Sequence, residues 1–184
     1  ESELAEIFGV MVRPSSQTAD AIYDAIAARL STPEYRPRAL LKTFRISVLA
    51  TTDDPCDDLT HHIMVRDDPD VATRVLPTFR PDAYLEPARN DWPELVEAIG
   101  QAADTDTSTY DGFLAALENR RRYFIEHGAV SADHSHADVV TLTLEPGEAR
   151  RIFAAALASA ATAEEATALR RHLLVEMARM SVED

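Results

Sequence analysis

A chain of 184 residues with 46% hydrophobic side chains has the material for one domain of ordinary size and its core. A formal charge of −14 argues against nucleic acid as a partner, although one well-placed arginine is enough for a small anion. The single cysteine, Cys56, excludes an internal disulfide and suits a reducing cytoplasm, and no apolar run reaches the length of a membrane span.

The first residues, ESELAEIFGV, lack a basic region followed by an apolar stretch, so no signal peptide is expected. A start at Glu rather than Met points to a piece of a longer chain. Residues 15–30 predict a helix, with Ala21, Ile22, Ala25, Ile26 and Leu30 on one face and Ser16 or Thr18 as its cap. A short helix at 37–43 leads into a strand at 44–50, read as buried, which ends in Thr51-Thr52-Asp53-Asp54-Pro55. A helix is expected from Asp57 to about Val65, its first turn acidic to suit the helix dipole. A second strand, RVLPTF at 74–79, ends in Arg80-Pro81-Asp82. Helices follow at 92–102 and 108–127, the second closed by Gly128. A β-capable stretch, 129–132, runs into Asp133-His134-Ser135-His136. Two alanine-rich helices, 146–159 and 162–180, complete the chain, with no internal repeat or low-complexity linker.

Strands alternating with helices predict a parallel α/β arrangement. Ligands of such proteins gather at the carboxyl ends of the strands. All three strands here end in polar clusters, so parallel strands put the clusters on one rim. Asp53 and Asp54 read either as acid/base or hydrogen-bonding groups at a sugar site, or as the cap of the next helix. Arg80 suits a bidentate carboxylate contact, or a structural ion pair with Asp82 or another carboxylate. His134 and His136 form H-x-H, which on a strand points both rings the same way, yet a third metal ligand is not in view and a polar loop is the plainer reading. His61 and His62 are adjacent in a helix and diverge. Trp92, Tyr123 and Phe124 read as packing residues.

Four stretches, VLATTDDPCDDLTHH, RVLPTFRPDAYLE, YDGFLAALENRRRYFIEHGAVSADHSH and LLVEMARMSVED, resemble uronate isomerase (glucuronate isomerase) of the amidohydrolase superfamily, in order and along essentially the whole chain. The resemblance implies an aldose–ketose isomerase acting on D-glucuronate and D-galacturonate, giving D-fructuronate and D-tagaturonate through an enediol. It implies a (β/α)8 barrel, a divalent metal such as zinc or manganese, and a role for Arg80 in gripping the sugar's carboxylate, with Asp53, Asp54, Asp82, His134 and His136 on the rim. The family's metal-binding D-x-H-x-H, expected upstream, has no counterpart before Ile46, and the family continues past the position of Asp184 into another strand and a catalytic aspartate. His134-Ser135-His136 has the metal motif's spacing at a later strand and does not inherit its role. The chain therefore reads as a middle segment with about three strands. Residues 1–43 form a helical lead-in, 44–136 the βα units and 137–184 a helical extension. A full barrel needs about 250 residues. Catalytic residues and metal ligands are expected outside the segment, and the segment alone is expected to be inactive. Two open sheet edges invite pairing with a second copy. Competing readings are a non-catalytic sugar-acid-binding module and an assembly fragment.

Overall fold

The computed structural model describes residues 2–135, 138 and 140–183. In chain order its elements are α1 (Ser2–Glu6), α2 (Ala19–Leu30), α3 (Pro37–Thr43), β1 (Val48–Ala50), α4 (Thr60–Arg66), β2 (Arg74–Leu76), α5 (Trp92–Ala103), α6 (Tyr110–Glu126), α7 (Pro146–Leu157) and α8 (Ala163–Glu183), with 3-10 turns at Pro33–Tyr35 and Asp82–Leu85. They group into two compact units. One runs to Leu49 and takes in Asp68–Arg74; the other holds Ala50–Asp67 and the chain from Val75 onward.

The first unit is thinly packed. Ile22 is buried on α2, whereas Tyr23 and Leu30 on the same helix stay exposed. Phe8 stacks on Tyr35 at 5.6 Å, and the Tyr35 hydroxyl donates to the Ile7 carbonyl at 2.6 Å. Three expectations are corrected here. The helix predicted from residue 15 begins at Ala19, because Thr18 Oγ1 accepts from the Ser15 N–H and donates to the Arg13 carbonyl, which holds 15–18 in a polar turn. Thr18 occupies the N-cap position without a side-chain cap bond. The strand predicted from residue 44 shortens to β1, since Phe44 caps α3 and Arg45 has a left-handed φ of 53°. Nor is β1 buried: Val48 is 46% exposed and Leu49 38%.

In the second unit, helices close on an aromatic centre. Trp92 lies edge-on to Phe113 and Phe153 at 5.9 and 5.4 Å, and its indole N–H donates to the Tyr84 carbonyl at 2.8 Å. That bond lets a fully buried tryptophan keep its polar atom paired. Val96, Ile99 and Ala103 continue the buried stripe of α5; Leu117 and Phe124 do so on α6, and Leu169, Leu173 and Met177 on α8. These positions recur at three-and-four spacing, which places each set on one face of its helix. At the start of α6, Thr109 Oγ1 accepts from the Gly112 N–H at 3.1 Å. Any side chain at position 112 would collide with the Asp106 carbonyl, so the first turn of α6 requires glycine. Gly128, with φ of 100°, ends the same helix as expected.

The strand ends form a parallel ladder. The Thr51 N–H donates to Leu76, Asp53 to Thr78, and Arg80 back to the Asp53 carbonyl, at 3.0, 3.0 and 3.1 Å. Phe79 donates to Ser131 at 3.2 Å and Asp133 returns to Phe79 at 3.1 Å. Parallel bridges thus join Asp53 to Phe79 and Phe79 to Ala132. The regular part of β2 stops at Leu76, short of the predicted Phe79, because the next N–H facing the first strand end, that of Thr78, goes to the Asp53 side chain at 3.0 Å instead of a strand carbonyl.

Candidate active-site rim

The ladder brings the three polar clusters onto one rim, each following directly from its own strand. Asp53 is the hub. Its Oδ2 accepts from the Thr51 hydroxyl at 2.7 Å and the Thr78 N–H at 3.0 Å, while Oδ1 lies 3.6 Å from His62 Nε2. Thr51 Oγ1 is in turn 2.8 Å from His62 Nε2. Asp53 therefore ties the first strand end to the second and, through Thr51, to α4. The side chains of Asp53 and His62 are each only 11% exposed.

Asp54 does different work. Its Oδ1 accepts from the Cys56 N–H at 2.8 Å and the Tyr84 hydroxyl at 2.7 Å. Tyr84 also approaches Cys56 Sγ at 3.1 Å. Burial pushes the Cys56 thiol up and the Tyr84 phenol far up, so both stay protonated at neutral pH. Neither Asp53 nor Asp54 caps the next helix, as one reading had it. That helix starts at Thr60, three residues later than expected, because Asp57 and Asp58 accept from the Leu59 and Thr60 N–H groups in local turns.

The loop holding these residues is gripped by α6. Arg120, 7% exposed, donates to the carbonyls of Pro55 at 2.7 Å, Asp57 at 2.8 Å and Ala102 at 3.3 Å. The Tyr123 hydroxyl donates to Asp58 at 2.6 Å. Trp92 and Phe124 are core residues, as read from the sequence, but Tyr123 has this second task.

Arg80 stands at the tip of the second strand end, its side chain 41% exposed. Its Nε donates to Asp82 Oδ2 at 2.8 Å, and its Nη1 lies 3.6 Å from Asp133 Oδ2. The hydrogen bond to Asp82 and the charge of Asp133 push its pKa up, keeping the cation fully charged. Asp82 Oδ1 accepts from the Ser135 N–H at 2.8 Å, which couples the second cluster to the third. The structural ion pair foreseen for Arg80 is thus present, and its partners are rim residues.

His134 is partly buried on the third strand end, and His136 lies outside the described residues. Among the described residues no three His, Cys, Asp or Glu side chains converge as a metal site. A cleft of about 330 Å³ opens beside Phe79, Phe124, Ile125, Ala129 and Ala132, but Arg80 and the rim carboxylates do not line it. The described rim holds one partly exposed guanidinium beside Asp82 and Asp133, and two further carboxylates, Asp53 and Asp54, that each accept from a hydroxyl. Sequence reading singled out neither Tyr84 nor Arg120; Thr51 was read as part of the polar TTDDP cluster and His62 as diverging from His61, without the contact between them.

The glucuronate isomerase family model matches residues 1–184. A uronate isomerase of Cutibacterium acnes is 50% identical over 182 residues, which is 99% of this chain and 39% of that protein. One from Corynebacterium efficiens is 42% identical over 185 residues, again across 39% of its length. The crystal structure of glucuronate isomerase from Caulobacter crescentus superposes with a TM-score of 0.88 at 34% identity, covering 100% of this chain and 38% of that one. Uronate isomerase from Thermotoga maritima gives 0.86 at 31% identity, over 98% of this chain and 40% of its own. The chain spans about two fifths of the length of these relatives.

Proposed function

This chain belongs to the glucuronate isomerase family, and on that premise we propose that it is the middle segment of a uronate isomerase whose full length closes a (β/α)8 barrel. The proposed reaction interconverts D-glucuronate and D-fructuronate, and D-galacturonate and D-tagaturonate. A proton leaves C2 of the open-chain sugar and returns at C1, while the carbonyl oxygen gains and the C2 hydroxyl loses a proton; no external oxidant is needed. The divalent metal implied by the family, zinc or manganese, finds no ligand set among the described residues. Its ligands, and the proton-transferring base, are assigned to the rest of the full-length enzyme.

The observation that carries this reading is Arg80. Its Nε is tied to Asp82, two residues on, while the terminal Nη1 has a looser neighbour in Asp133 at 3.6 Å. There it is proposed to grip the sugar's carboxylate as a fork, which lysine cannot do. The test is Arg80→Lys in the full-length enzyme, with kinetics and melting measured on one preparation. A loss of at least about tenfold in kcat/KM is expected, roughly 1.4 kcal/mol of transition-state stabilisation. A variant that melts early but turns uronate over normally would remove Arg80 from the site.

The 184-residue chain by itself is proposed to lack isomerase activity, and conversion of glucuronate by the purified chain would overturn this. The exposure of Val48 and Leu49 on β1 favours a second behaviour for the isolated chain, self-association at that strand. Sedimentation across a concentration series reads it directly. No helix among the described residues is long and apolar enough to cross a membrane, and a cytoplasmic location is proposed from the single cysteine.

A further inference from the structure

The two carboxylates at Arg80 are not equivalent. Asp82 uses both oxygens: Oδ2 takes the Arg80 Nε–H at 2.8 Å, and Oδ1 takes the Ser135 N–H at 2.8 Å. It cannot leave Arg80 without disturbing a main-chain bond to the third strand end. Asp133 sits 3.6 Å from Nη1, outside hydrogen-bonding distance, and its side chain is 45% exposed. Its backbone is fixed by the N–H donated to Phe79 at 3.1 Å, but its carboxylate makes this ion pair and, among the described residues, no hydrogen bond. The side-on edge of the guanidinium is therefore committed to Asp82. Among the described residues, the terminal nitrogens, the edge that forms a two-bond fork with an incoming carboxylate, have only a loosely held, half-exposed anion beside them.

We propose that Asp133 is a displaceable counter-ion that competes with the ligand's carboxylate for the terminal edge of Arg80, while Asp82 is the fixed residue that orients that edge. The inference rests on the reading of Arg80 as the carboxylate-binding group and adds a specificity-determining residue to it. Its physical basis is charge balance. Arg80 already faces two anions, so a third negative charge is repelled unless one of the first two moves aside, and Asp133 is the one free to move. An anion that offers only one weak oxygen gains too little to displace it. A carboxylate that takes both terminal N–H groups gains enough. Asp133 thereby raises the threshold for binding and rejects anions of the wrong geometry.

The test uses the full-length enzyme and D-glucuronate as the probe. Calorimetric titrations are run on the wild type, Asp133→Asn, Asp133→Glu and Arg80→Gln, with circular dichroism melts on each. Asp133→Asn removes the competing charge at nearly constant shape, and Kd for glucuronate is expected to fall by about threefold or more, the size of an exposed charge pair's effect. Inorganic sulfate, bound weakly by the wild type, is expected to gain at least as much. Asp133→Glu keeps the charge and is expected to bind glucuronate no more tightly than the wild type. Glucuronate binding that is unchanged or weaker in Asp133→Asn, in a protein where Arg80→Gln abolishes it, overturns the counter-ion role alone. Binding that survives Arg80→Gln undiminished overturns the reading of Arg80 itself.

Discussion

The Arg120 guanidinium lies 4.1 Å from the centre of the Tyr123 ring, and the two side chains together hold the loop after β1 by three carbonyls, those of Pro55, Asp57 and Asp58. Among the described residues no carboxylate pairs with Arg120; backbone oxygens of Pro55, Asp57 and Ala102 take its donors instead. A guanidinium suits this because its donors leave in several fixed directions, while the ring beneath it replaces part of its lost hydration. The helix thus fixes a loop that it does not follow in sequence, and the loop fixes Asp53 and Asp54.

Arg120→Met is expected to destabilise the protein by about 3 kcal/mol, since one buried and two part-buried carbonyls lose their donor at once. Arg120→Lys recovers only part of this, because an ammonium cannot reach the same oxygens in one plane. Urea unfolding followed by far-UV circular dichroism measures both. Equal stability of Lys and wild type would show that the charge matters and the fork does not.

Asp53 and Asp54, indistinguishable in sequence, part company on substitution by asparagine. Asp54 uses a single oxygen, Oδ1, for the Cys56 N–H and the Tyr84 hydroxyl, and an asparagine oxygen can accept both. Asp54→Asn is expected to cost less than about 1 kcal/mol. Asp53 faces a hydroxyl and an N–H on one oxygen and His62 on the other, so an amide NH2 meets a donor or leaves the charge-assisted bonds weakened. Asp53→Asn is expected to cost about 2 kcal/mol. Chemical denaturation of the pair decides it; a reversed order would mean that Asp54 anchors the loop.

The helices from α5 onward were legible because good helix formers run through them and the end of α6 carried its own signal in Gly128. Strand lengths were not, because an apolar residue such as Val48 satisfies a strand pattern whether or not anything covers it. Parallel strands followed from the alternation of strands and helices, and the Asp53–Phe79 and Phe79–Ala132 bridges are parallel. What alternation cannot give is long-range side-chain traffic. Arg120 reaches a carbonyl 65 residues away, and nothing local in ENRRRYF tells it apart from Arg121 or Arg122.

Asp138 supplies a pH-dependent contact. Its carboxylate takes Arg170 Nη2 at 2.6 Å and Arg171 Nη2 at 3.2 Å, and accepts from the Val140 N–H at 2.9 Å. The Arg171 bond, then the Val140 N–H, hold its pKa below the usual aspartate range. A carboxyl with a depressed folded-state pKa adds stability above its unfolded value of about 3.9 and loses it as pH falls through the folded value. Asp138→Asn is therefore expected to melt lower than wild type at neutral pH, with the gap closing in acid below about pH 3.9. Calorimetric melts across that range read it; a gap that persists unchanged in acid would mean that the contact is steric.

The last expectation concerns which nitrogen of His62 carries the proton. Thr51 has one hydroxyl proton and three neighbours: Asp53 Oδ2 at 2.7 Å, His62 Nε2 at 2.8 Å and the Leu76 carbonyl at 3.2 Å. A carboxylate close by is the best acceptor of the three, so the hydroxyl proton goes to Asp53. His62 Nε2 can then contact Thr51 Oγ1 favourably only as a donor, which puts the ring's proton on Nε2. His62 Nδ1 agrees: it is buried without a hydrogen-bond partner among the described residues, and a bare lone pair there avoids stranding an N–H. Nitrogen-15 chemical shifts of the ring are expected to report the Nε2–H tautomer in its neutral form. Thr51→Val, which removes the relay while keeping the shape, is expected to shift the ring toward a mixture of tautomers and to cost about 1 kcal/mol. A ring that carries its proton on Nδ1 in the wild type would reverse the direction of the Thr51 hydroxyl and leave Asp53 Oδ2 with the Thr78 N–H alone.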